Sequence, residues 1–135
     1  MPFIDKTDIH KIITDPNSTQ LLVKRSKAFG RHLASKEVNL STSQIRAIFG
    51  EVKRIQAQWD INQSKAFRQL ILLQPKMAYR KRKERGRGVR ELVDVLDPAL
   101  EEVITSTEQN RLDNFQRFVE FFEAILAYHR AYGGK

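Results

Sequence analysis

The sequence predicts an all-α fold, a compact bundle of about five helices. Three observations carry this. Apolar residues recur every three or four positions through successive stretches. No stretch sustains the two-residue alternation of a strand between hairpin turns. Proline, glycine and capping residues fall between the periodic stretches. At 135 residues the chain can bury about two-thirds of its unfolded surface without disulfides or metals. It reads as one helical domain, residues 18–135, behind an N-terminal arm, residues 1–17, expected to be poorly ordered.

The elements follow in order. Asp15-Pro16-Asn17 is a turn signal. From Ser18 to Lys36, Leu21, Leu22, Ala28, Phe29, Leu33 and His32 share one side of a helix, with Gly30 in its middle at a cost of about 1 kcal/mol relative to alanine. Ser41-Thr42-Ser43-Gln44 is a capping box, and Leu40 can staple onto Ile45. Behind it Ile45, Ile48, Phe49, Val52, Ile55 and Trp59 form an apolar stripe that Arg46, Lys53 and Arg54 lie off. Residues 61–73 make a third helix. Pro75 is expected to end it and to open a new one through Met77, Ala78 and Tyr79, which Gly86 and Gly88 then break. Val89–Ile104 is helical, kinked or split at Asp97-Pro98. The last helix runs from about Thr107 to Tyr132 on an apolar face including Phe115, Phe118, Phe122 and Ile125, and Gly133-Gly134 stops it.

Composition excludes several chemistries. With no cysteine there is no disulfide scaffold, thiolate zinc site or cysteine nucleophile. No apolar run approaches the roughly 18 residues of a membrane span, and the N-terminal stretch does not resemble a secretory signal, so a cytoplasmic location is expected, with no membrane partner. His10, His32 and His129 are too far apart for a local metal motif, and His32 and His129 read as packing residues. Glu120 and Glu123 share a face, but no further ligand is suitably spaced. Gly86-Arg87-Gly88 lacks the strand and the Lys-Ser/Thr of a phosphate loop, and no serine sits in a nucleophile elbow. The expectation is a binder, not an enzyme, with no metal or cofactor.

The net charge of +8 hides an asymmetry. Residues 1–90 carry 20 Lys and Arg against seven Asp and Glu, a net of +13, whereas residues 91–135 carry four against nine, a net of −5. The densest run, Lys76–Arg90, has eight cations and the single acid Glu84. Such a run is either a solvated helix face or a phosphate-binding surface. The neighbouring Tyr79 and the two glycines favour phosphate, bound largely without regard to sequence. Within it Lys76, Tyr79, Arg80, Arg82, Arg87 and Arg90 are the candidate contacts.

Three blocks in order resemble the small subunit of type III-A CRISPR effector complexes, the Csm family. Leu40-Ser41-Thr42-Ser43-Gln44-Ile45-Arg46 is similar to its LTTSQIR-like opening. Gln74-Pro75-Lys76-Met77-Ala78-Tyr79 is similar to its KPKLAY block. Phe121–Arg130 with Gly133-Gly134-Lys135 is similar to its closing FFEAxxAYHKxxGGK. The family's Gly-Arg, which follows the tyrosine closely, is here displaced to Gly86-Arg87, so Arg87, with Arg80 and Arg82 as rivals, matches the family arginine.

The resemblance implies a non-catalytic helical subunit present in several copies along a filament. It would contact the other Csm subunits and hold the guide RNA–target RNA duplex by its phosphates. On it, Arg46 and Lys76 match motif cations, with Lys53 and Arg54 continuing the track two turns after Arg46. Tyr79 matches the motif tyrosine, as either a core ring or a stacking ring. The alternative is a basic interaction adaptor that binds an acidic protein, RNA being incidental. A small helical DNA-binding regulator is a weaker third reading, because no recognition helix stands out.

Overall fold

Six α-helices follow one another along residues 2–135, the residues that the computed structural model describes: α1 (Lys6–Thr14), α2 (Thr19–Ala34), α3 (Thr42–Trp59), α4 (Gln63–Lys83), α5 (Gly88–Ile104) and α6 (Glu108–Ala131). No strand occurs among the described residues. The all-α class is as expected, with six helices in place of about five.

The centre of the bundle is α6. Phe115, Phe118, Phe121, Phe122 and Ile125 are all fully buried, so this helix presents a broad apolar face to its neighbours while Gln116, Glu120 and Glu123 stay exposed on the other side. It packs against α1, α2, α3 and α5, most extensively against α2. Trp59 of α3 stacks on Phe115 with ring centroids 4.7 Å apart, and Phe49 meets Phe122 edge-on at 5.1 Å. α4 forms an outer layer, laid across α3 and α5.

Residues 1–17, expected as an arm, instead supply α1. Asp5 caps it by accepting from the Asp8 N–H at 2.8 Å. Ile4, Ile9, Ile12 and Ile13 are buried in the common core. Arg25 of α2 bonds Asp8 at 2.8 Å, His10 donates to Glu102 of α5 at 2.7 Å, and Arg117 of α6 donates to the Ile13 carbonyl at 2.6 Å. A nine-residue helix is marginal alone, and these tertiary contacts stabilise it.

Pro75 departs from expectation: it does not separate two helices but lies inside continuous α4. Pro98 lies inside continuous α5, so of the two expected outcomes, a kink or a split, the split does not occur. Each costs one helical hydrogen bond. Both rings line the groove between these two helices, where Leu73, Met77, Val93 and Leu96 on the packed faces hold the helical path.

The capping box is present as read, with Ser41 accepting from the Gln44 N–H at 3.1 Å and Gln44 accepting from the Ser41 N–H at 3.1 Å. Leu40 and Ile45 beside it are buried. Leu40 is also where distant segments meet. Its carbonyl accepts a 2.6 Å bond from Nε2 of the fully buried His129. Gly88, the first residue of α5, approaches so closely that an added Cβ would lie 2.9 Å from the Leu40 Cβ. Gly133 takes the left-handed conformation (φ +86°), and Gly134 then lies against the His129 ring. The opening and closing motifs are therefore joined at one end of the bundle, and His129 is a packing residue, as expected.

Candidate nucleic-acid interface

The cations on α3 leave the bundle by two routes. Arg46, Lys53 and Arg54 are all exposed. Arg46 and Lys53, seven residues or about two turns apart, share a face, and Arg54 lies about 100° further round. Lys53 sits over the half-buried Phe49 ring, 5.9 Å from its centroid, and lines a groove toward α6. Arg54 instead lines the groove between α3 and α4. Arg46 pairs with no carboxylate among the described residues, and Glu51, its nearest candidate by sequence, is taken by Lys76 at 3.3 Å.

α4 brings its own residues to that second groove. Because the helix runs unbroken through Pro75, Lys76, Tyr79, Arg80 and Lys83 fall on one stripe at helical spacing. Lys76, Tyr79, Arg80 and Lys83 line a cavity of about 400 Å³ with Pro75 and Glu51. A second hollow of about 200 Å³, sharing Glu51 and Lys76, continues it to Arg54 and Leu72. Tyr79 is 66% exposed, which overturns the reading of it as a core ring. Lys83 lies 5.9 Å from the centroid of that ring. Of Arg54, Lys76, Arg80 and Lys83, only Lys76 forms an ion pair among the described residues, and with its side chain 61% exposed that pair is weak. Lys83 and Glu51 were not singled out as site residues from the sequence; the spacing of Lys83 from Lys76 and Tyr79 on one helix is the signal that places it.

Arg82, Arg87 and Arg90 do not line this groove. All three are exposed, at the end of α4, in the turn made by Gly86 (φ +83°) and at the start of α5. Arg87 is committed internally. Its Nε donates to Glu91 at 2.6 Å, and the other oxygen of Glu91 accepts from His32 Nε2 at 2.7 Å. Burial pushes the Glu91 carboxyl up, but the hydrogen bonds from Arg87 and His32 and their charges outweigh it and hold the group below its ordinary range. The same hydrogen bond raises Arg87 above its ordinary value. His32 also stacks on Phe3 at 4.6 Å. Arg87, Glu91 and His32 thus tie α2 to α5, with Arg87 bonded through Nε while its side chain stays about half exposed.

A cavity of about 670 Å³ between α4 and α5 has a different character. It holds Asp94 and Asp97 beside Lys6, Lys81 and Gln74. Lys81 pairs with Asp94, and Gln74 bonds Glu101 at 2.7 Å. Desolvation of its carboxyl and the nearby Glu101 charge raise Asp97, although the residue as a whole is exposed. A phosphate would meet carboxylates there. No three His, Asp or Glu side chains converge as a metal site among the described residues, and none of the described helices is long and apolar enough to cross a membrane.

One face of α3 and α4 therefore gathers cations and an exposed aromatic ring, while the acids of α5 lie on the other side of α4. The family model for Csm2 Type III-A matches residues 16–135, all of the bundle except α1. Neither the curated proteins nor the solved structures give a match. The chain belongs to the Csm2 Type III-A family, small subunits of the type III-A CRISPR complex.

Proposed function

We propose that this chain is the non-catalytic small subunit that holds the guide RNA–target RNA backbone within its complex and, through copies of itself and other Csm subunits, helps assemble the filament. One observation carries the RNA contact: Arg54, Lys76, Arg80 and Lys83, from two helices, border one continuous groove. Four flexible cations at such spacing suit successive phosphates, which they neutralise with release of counterions. Guide pairing reads the sequence in such a complex, so the subunit needs only shape and charge.

Filter binding of the full chain to RNA over a salt series tests this. The logarithm of affinity falls linearly with the logarithm of salt concentration. Arg54→Ala, Lys76→Ala, Arg80→Ala and Lys83→Ala each weaken binding alike for unrelated sequences and lower the salt slope by about one. Arg87→Ala does less, because that side chain lies outside the groove. Absence of RNA affinity at low salt, with no co-purifying Csm subunits, would sink the proposal.

A further inference from the structure

We infer that the α3–α4 groove seats one unpaired nucleobase of single-stranded RNA on the Tyr79 ring, with Lys76, Arg80 and Lys83 taking the phosphates on either side. This rests on the RNA-contact reading above and goes beyond it, since a backbone surface needs cations alone.

Three features separate this groove from a plain phosphate track. The first is the ring itself. At 66% exposure Tyr79 contributes little to the core, yet it stands among cations on the wall of a cavity of about 400 Å³. Lys83 lies over this ring at 5.9 Å, and the exposed ring offers a base a stacking partner on the face that the lysine leaves free. The second is Glu51. Its side chain is only 20% exposed, and it lines both hollows of the groove. A carboxylate there repels a phosphate but not a neutral base, so phosphates are held to the rim where the cations are. The third is the apolar content of the walls, Pro75 next to Tyr79 and the exposed Leu72 further along. A base buries well against such walls and a phosphate does not. Lys83, near the Tyr79 ring, and Arg80, one residue on from it, then flank the stacked base. In a continuous duplex every base is stacked inside, so only an unpaired nucleotide can enter.

The test uses the full chain at low salt and a short single-stranded RNA with a central 2-aminopurine, whose fluorescence responds to stacking, alongside the same strand annealed to its complement. Binding to the parent chain changes the emission of the single strand. Tyr79→Ala abolishes that change and weakens single-strand binding about tenfold, while Tyr79→Phe preserves both. Duplex affinity is the same for all three. An unchanged urea midpoint verifies that Tyr79→Ala is folded, as expected for an exposed ring. Equal single-strand affinity of Tyr79→Ala and parent, or an equal loss on both RNAs, overturns the stacking inference and leaves the backbone reading standing. A parent chain that binds neither RNA overturns both.

Discussion

Gly30→Ala should destabilise the chain although alanine is the better helix former. A Cβ at Gly30 on α2 would lie 2.7 Å from the Tyr128 Cβ, 2.8 Å from the His129 amide nitrogen and 3.0 Å from the Ile125 carbonyl oxygen of α6. Comfortable carbon contacts lie at about 3.5–4.0 Å. The obstructing atoms are backbone and Cβ, not the far end of a flexible side chain, so the two helices must part by roughly 0.5–1 Å along the most extensive contact in the bundle. Overpacking costs about 1–3 kcal/mol, and rigid neighbours put this site near the upper end. The helix-propensity gain of about 1 kcal/mol offsets part of that and leaves a net loss of about 2 kcal/mol. With a urea m-value of about 2 kcal/mol/M, the midpoint followed by helical circular dichroism falls by about 1 M at unchanged m. Gly50, inside α3, is the control. Nothing lies within 4 Å of its added Cβ, so Gly50→Ala keeps the propensity gain and raises the midpoint by up to about 0.5 M. A Gly30→Ala chain as stable as the parent refutes the close-approach argument.

Three further outcomes follow from the packing. Ile12→Ala, at a fully buried position of α1, costs about 2–5 kcal/mol in urea denaturation; a loss under about 0.5 kcal/mol means α1 contributes nothing to the core. His129→Ala empties a fully buried site and strips the Leu40 carbonyl of its donor, so the thermal midpoint drops by an amount equivalent to about 3 kcal/mol or more, whereas a purely surface role predicts no change. The lowered Glu91 carboxyl makes stability depend on acid. As pH falls, the unfolded chain takes up the proton first, so the Glu91 contribution is complete above its ordinary value of 4.5 and is lost as pH drops through the lower folded value. The stability advantage of the parent over Glu91→Gln is therefore present at pH 7 and shrinks below about pH 4.5; an advantage independent of pH contradicts the arrangement.

Much of the helical framework was legible because it is written locally. The Ser41–Gln44 box, the Ile45–Trp59 stripe and the Gly133 stop each depend on residues within a few positions of one another. α1 was not legible, because three isoleucines in nine residues do not make a stable helix until α2, α5 and α6 cover them. Nor was the continuity of α4 through Pro75, where burial of Leu73 and Met77 outweighs one missing hydrogen bond.

The candidate site divides in the same way. Residue type and charge are properties of the chain, so the basic body and the family motifs could both be read directly. Which cations act together is a property of space. Folding sends Lys53 toward α6 and Arg54 toward α4, bonds Arg87 to Glu91 away from the groove, and opens Tyr79 to solvent beside Lys76, Arg80 and Lys83. The sequence alone determined an all-α, cation-rich chain with the Csm2 motifs, because helical period and charge count are local. Only the tertiary structure decided where those charges converge, because that depends on the packing of α3 against α4, which residues far apart in the chain establish together.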